Sequence, residues 1–131
     1  EALSKIKSYV DYGAFTPLQV AATAALNGPQ KCVEDIRQIY KKRRDVLIES
    51  FDRAGWHIQK PSASMFVWAP IPSKYISDGS MKFSKNLMNK ADVAVAPGLA
   101  FGKYGEGFVR IGLVENTQRI RQAAKSIKKF L

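Results

Sequence analysis

A glycine-studded loop held between two short apolar runs constrains this chain more than any other stretch: Val93 to Asn116 reads VAVAPGLAFGKYGEGFVRIGLVEN. The first run, Val93 to Ala96, is too short and too β-branched for a helix, and it ends at Pro97-Gly98, a dipeptide that turns the chain. The second run alternates. Val109, Ile111 and Leu113 fall on one face of a strand and Phe108, Arg110 and Gly112 on the other, because successive side chains of a strand point to opposite sides. Arg110 therefore projects away from the apolar face, and the rest of the chain reads as support for this pair of runs.

That support is mostly helical. Ala2 to Tyr9 places Leu3 and Ile6 at helical spacing, and Asp11 to Phe15 then breaks the pattern. Thr16-Pro17 predicts a helix start, with threonine as N-cap and proline at the first helical position, running over Leu18, Ala21, Ala22, Ala25 and Leu26 to Asn27-Gly28. A long helix is expected from about Gln30 to Ala54, since Val33, Ile36, Tyr40, Leu47 and Phe51 recur at intervals close to one or two turns and Gly55 supplies a stop. Trp56 to Ile58 and Met65 to Trp68 read as strands, separated by the Pro61-Ser62 turn and ended by Pro70 and Pro72. From Ser80 the pattern is helical again through Met81, Phe83, Leu87, Met88 and Ala91, and a final helix starts near Asn116-Thr117 and buries Ile120, Ala123, Ala124, Ile127 and Leu131. Strands and helices mix without a strict βαβ rhythm. The expected class is α+β: a small, mostly antiparallel sheet covered by helices.

At 131 residues and 46% apolar composition the chain can bury a substantial core as one domain. No apolar run approaches the roughly 20 residues that span a bilayer, and no basic-then-apolar leader opens the sequence, so a cytoplasmic protein is expected. The chain starts at Glu1 instead of methionine, which suggests a fragment or an excised domain. The single Cys32 has no partner for an internal disulfide and reads as a buried or half-buried hydrophobe. The net charge of +10 raises an acidic surface or a nucleic acid as partner. Its densest cluster, Lys41 to Arg44, lies within a helical pattern and no nucleic-acid fold motif accompanies it, so a solvated helix face is the favoured reading.

Most other stretches with chemistry-bearing residues fail on spacing. Gly98 to Tyr104 superficially resembles a phosphate loop, but three residues separate its glycines instead of four, and tyrosine stands where serine or threonine should bind magnesium. His57 is the lone histidine, so no metal site can be built around a second one. Glu34-Asp35, Glu106 and Glu115 lack the spacing of a two-carboxylate mechanism. For Arg110 the residues alone leave two readings: a structural ion pair with Glu106 or Glu115, or a ligand-binding guanidinium whose planar fork meets a carboxylate in two parallel hydrogen bonds.

Several separate stretches, in order, resemble the carboxy-terminal small domain of class I/II (fold type I) pyridoxal-phosphate aminotransferases. They are Lys7-Ser8-Tyr9, Asp11 to Pro17, Gly55-Trp56, Ser64 to Trp68, the Pro97-Gly98 loop with its Gly-x-Gly approach to the arginine strand, and Arg119 to Ala123. The run from Asp11 through Trp68 is most similar to the bacterial alanine (glutamate–pyruvate) and LL-diaminopimelate branches, with aspartate aminotransferases more distant.

The resemblance implies a transaminase that moves an amino group between an amino acid and a 2-oxo acid through pyridoxal 5'-phosphate, with Arg110 gripping the substrate α-carboxylate. It implies that Tyr12, Gly13 and Phe15 line the substrate pocket, often toward the partner subunit of a homodimer, and that Met65 and Phe66 begin a strand that shapes it, although Ser64 stands where many relatives have glycine. Pro97-Gly98 and Phe101-Gly102 resemble a loop that moves on domain closure, with Gly98 and Gly102 permitting the bend. The serine-rich lysine motif and the cofactor-binding residues of the large domain are absent. Phe83-Ser84-Lys85-Asn86 is only a weak echo on a surface helix, so no catalytic, cofactor-binding or metal-binding residue is expected in this chain and the fragment alone is expected to be inactive. Residues 1–28 would link from a missing N-terminal large domain, and 29–131 would form the small domain. Competing classes are a stand-alone basic nucleic-acid-binding module and a non-catalytic scaffold domain.

Overall fold

The computed structural model describes all 131 residues, and the chain divides into two compact units, Glu1–Ile36 and Arg37–Leu131. The first unit holds α1 (Ala2–Val10), α2 (Thr16–Asn27) and the opening of α3 (Lys31–Arg53). No residue of α1 or α2 is buried. The cap of α2 falls on Phe15, one residue before the expected threonine: Leu18 N and Gln19 N donate to the Phe15 carbonyl, and Pro17 sits in the first turn, where a backbone donor would be orphaned anyway. Cys32, expected to be buried, is exposed. It lies in the first turn of α3, and the buried residues of that helix, Leu47 and Phe51, come only in its second half.

The second unit is built on a three-stranded sheet of order β1-β3-β2, with β1 spanning Phe66–Pro70, β2 Ala96–Pro97 and β3 Phe108–Gly112, both pairings antiparallel. Period two sorts its faces. Val67, Ala69, Val109 and Ile111 are buried, and against them pack Leu47 and Phe51 of α3, Phe83, Leu87 and Ala91 of α4 (Gly79–Ala91), and Ile120, Ala124 and Ile127 of α5 (Thr117–Phe130). This is the expected α+β arrangement of a small antiparallel sheet with a helical cover. In α4 the expected stripe narrows, since Met81 and Met88 are exposed and Ser80 and Ser84 take the buried positions instead. α5 starts where expected, and Asn116 caps it, its side-chain oxygen accepting from Gln118 N and Arg119 N at 3.0 Å each.

Two expected strands differ. Trp56 to Ile58 is not a strand, although Trp56 and Ile58 are buried and His57 is exposed. Alternate burial arises there from packing: the Trp56 ring stacks on Phe51 and meets Phe83 edge-on, its Nε1 donates to the Pro70 carbonyl at 2.8 Å, and its backbone N–H is taken by Phe51 O at the end of α3. The run Val93 to Ala96 enters the ladder only at Ala96–Pro97, because α4 ends on Asp92 in a left-handed conformation and Val93 N still bonds to Leu87 O. Proline is tolerated in β2 because that strand forms the sheet edge.

Half of the densest basic cluster is consumed by the fold. Arg43 donates to Leu113 O at 3.0 Å, while Arg44 donates to Pro61 O at 3.2 Å and pairs with Asp45, which also holds Lys60 at 2.8 Å. The Lys60 hydrogen bond, with help from Arg44, holds the Asp45 carboxyl below its ordinary value. No helix is long and apolar enough to cross a membrane.

Candidate functional site

The sheet face opposite the core carries the candidate site. On β3, Arg110 stands opposite Trp68 of β1 on one side and Ala96 of β2 on the other, so its side chain leaves the sheet among the residues the helices do not cover. Its guanidinium carbon lies 4.1 Å from the Phe66 ring centroid and 4.2 Å from that of Phe101, a cation held between two π-faces. Trp68 extends the aromatic ground. It stacks on Phe108 at 5.9 Å and meets Phe101 edge-on at 5.6 Å, while remaining 39% exposed.

Neither glutamate expected as a structural partner pairs with Arg110. The Glu106 carboxylate is engaged elsewhere: Oε1 accepts from Ser80 N at 2.6 Å and from Gly107 N at 3.1 Å, and Oε2 accepts from the Ser80 hydroxyl at 3.2 Å. These backbone donors, Ser80 first, pull its pKa below the ordinary value. Glu115 makes no ion pair with the arginine either. The rings fix the direction of the Arg110 fork, and its five N–H donors remain available to a planar anion.

The loop between β2 and β3 supplies Phe101. It is two short 3-10 turns, Gly98–Phe101 and Lys103–Gly105, hinged at Gly102 with φ +107°. Gly98 serves a purpose that its sequence context does not show. A methyl group there would meet the Gly105 carbonyl oxygen at 1.9 Å, and one on Gly105 would meet the Gly98 oxygen at 2.1 Å, so the two loop ends touch backbone to backbone. Only Gly102 has the backbone freedom expected of both glycines.

Tyr12, Gly13 and Phe15 belong to the first unit, with Tyr12 98% exposed and Gly13 at φ +103°, and the groups that the structure brings to Arg110 are Phe66 and Phe101. Ser64 adopts φ +80°, a region that favours glycine. His57 is exposed beside Asp52, and no group of three or more His, Cys, Asp or Glu is placed to hold a metal. Sequence reasoning missed Phe101 as an arginine neighbour and Ser80 as the partner of Glu106. The first contact spans nine residues across a loop and the second 26, so neither follows from a helical or strand period.

The model of the family "Aminotransferase class I and II" matches residues 1–127. The chain belongs to this aminotransferase family. It is 59% identical over 130 residues to a putative aminotransferase, AatC, of Rhizobium meliloti (strain 1021), covering 99% of this chain and 32% of that protein. It is 58% identical over 127 residues to the glutamate-pyruvate aminotransferase AlaC of Escherichia coli (strain K12), covering 97% of this chain and 31% of that one. The substrate-bound structure of BacF from Bacillus subtilis superposes with a TM-score of 0.84 at 36% identity, over 98% of this chain and 32% of that structure's chain. This aminotransferase chain thus spans about a third of the length of the relatives it matches.

Proposed function

We propose that this chain is the C-terminal part of an amino-acid aminotransferase, in which Arg110 receives the α-carboxylate of the amino acid and of the 2-oxo acid. The observation that carries the reading is the Arg110 guanidinium clasped between Phe66 and Phe101 with no carboxylate of the chain paired to it. A planar fork aimed by rings and free of counter-ions meets a carboxylate in two parallel charge-assisted hydrogen bonds. The name of the similar E. coli protein makes glutamate and pyruvate the first pair to assay.

Pyridoxal 5'-phosphate is the cofactor that the family implies. Three features support placing its binding outside this chain: Lys85 stands on the exposed side of α4, its neighbours Phe83 and Ser84 are turned into the core, and the groups touching Arg110 are aromatic rings instead of an amine or phosphate donors. The residues described here therefore bind and orient substrate. In this reading residues 1–28 link from a larger domain, residues 29–131 form the small domain, and the exposed Tyr12, Gly13 and Phe15 line the substrate pocket in a cytoplasmic homodimer. The exposed apolar residues of α1 and α2 fit a segment covered by other parts of such an assembly.

The test is Arg110→Ala in the whole protein. A lost charge-assisted bidentate contact lowers kcat/KM for the amino acid by about 2–4 kcal/mol, or roughly 30- to 1000-fold. Arg110→Lys recovers only part of this, because an ammonium is a point charge without the fork. Wild-type kcat/KM in the alanine variant would refute the assignment.

A further inference from the structure

Ser80 and Glu106 form a clamp with no role in the carboxylate site as described so far. Ser80 is the second residue of α4 and fully buried. Asp78 at the cap position contributes no side-chain bond to the helix N-terminus, and the carboxylate of Glu106 arrives from 26 residues away to do so, accepting the Ser80 N–H. The Ser80 hydroxyl works in both directions: it donates to Glu106 Oε2 and accepts from Leu99 N at 3.1 Å. One serine therefore ties down both ends of the segment 99–106. Phe101 sits in that segment, two residues from Leu99, and its ring is one of the two that flank Arg110. Gly102 N bonds back to Leu99 O and Gly105 N to Gly102 O, so the tether reaches Phe101 through short bonded turns.

We infer that Ser80 and Glu106 are positioning residues for substrate recognition: by clamping the loop 99–106 to the start of α4 they hold the Phe101 ring against Arg110, and so set the direction in which the guanidinium fork meets the substrate α-carboxylate. This inference rests on the reading of Arg110 as the carboxylate-binding residue. Phe66 alone, anchored in β1, limits the guanidinium from one side only, and with the clamp open the fork samples orientations that do not present both donors together. The cost falls on substrate binding, since no group of the clamp touches the reacting bond.

Steady-state kinetics on the whole protein tests this with Ser80→Ala, Glu106→Gln, Phe101→Leu and Phe101→Tyr, each alone and combined with Arg110→Ala. Ser80→Ala and Glu106→Gln raise KM for the amino acid about tenfold with kcat within about twofold of wild type, and in the Arg110→Ala background each adds less than about twofold. Phe101 is 48% exposed, so Phe101→Leu removes the ring without a core defect and shows the same KM rise, whereas Phe101→Tyr keeps the ring and wild-type KM. Should either clamp variant fail to fold, Phe101→Leu still puts the inference at risk, because a wild-type KM in that variant overturns it. A large loss in Arg110→Ala together with clamp and Phe101 losses that multiply with it overturns this inference alone. An unchanged kcat/KM in Arg110→Ala overturns the carboxylate reading and this inference with it.

Discussion

Consider Gly98→Ala, which adds one methyl group at the mouth of the loop that carries Phe101. Built on the observed backbone, that methyl lies 1.9 Å from the Gly105 carbonyl oxygen, 2.6 Å from the Phe108 carbonyl oxygen and 2.8 Å from the Gly105 carbonyl carbon. Carbon meets a carbonyl oxygen at about 3.3–3.6 Å even in favourable contacts. All three neighbours are main-chain atoms, and Phe108 begins the central strand, so no side chain can swing aside to relieve the overlap. The loop must lift from β3 or the strand must shift. Overpacking of this kind costs about 3 kcal/mol, the upper end of the usual range. For a unit of this size that corresponds to a fall in Tm of roughly 12–24 °C. Gly102→Ala is the matched control: a methyl group there has nothing within 4 Å, and only the backbone conformation, φ +107° and ψ +169°, opposes it, which costs about 1–3 kcal/mol. Urea unfolding followed by tryptophan fluorescence reads both variants, since Trp56 is buried and Trp68 half-exposed. If Gly98→Ala proves no more destabilising than Gly102→Ala, the backbone contact between the loop ends is not what demands glycine, and the account of the loop fails.

Two further expectations concern single residues. Asn116→Ala removes both bonds at the N-terminus of α5 and should lower unfolding free energy by about 1 kcal/mol with an unchanged urea m-value; an unaltered midpoint would contradict the capping role. Glu106 is held below its ordinary value of 4.5 by the Ser80 and Gly107 N–H groups. A carboxyl depressed in the folded state stabilises the fold above its unfolded pKa, and that contribution is lost as pH falls through the folded value. The urea midpoint of the wild type should therefore drop more steeply below about pH 4.5 than that of Glu106→Gln, and equal slopes would show that the carboxylate is not coupled to folding.

How far the sequence reached differs from element to element. The α5 stripe and its asparagine cap were legible because both are local: the cap bonds residues two and three positions on, and the stripe follows the helical period. The two faces of β3 were legible for the same reason, and with them the direction in which Arg110 leaves the sheet. Trp56 to Ile58 misled because alternate burial marks packing as readily as pairing, and only the hydrogen-bond partners tell the two apart. The surroundings of Arg110 were the least legible. Phe66 reaches it from another strand and Phe101 from a loop, and Glu106, the nearby acid that sequence offered as its partner, instead bonds to Ser80 across 26 residues. No local pattern encodes such a choice. It is made by the packing of α4 against the β2–β3 loop.

The central claim is that Arg110 recognises the carboxylate of the substrate and nothing else about it. The most direct measurement compares, in the whole protein, the kcat/KM of wild type and Arg110→Ala for an amino acid and for the amine that has the same side chain but lacks the carboxylate. The account predicts a loss of roughly 30- to 1000-fold for the amino acid and a change of less than about threefold for the amine. Equal losses for the two substrates, or none for either, would contradict it.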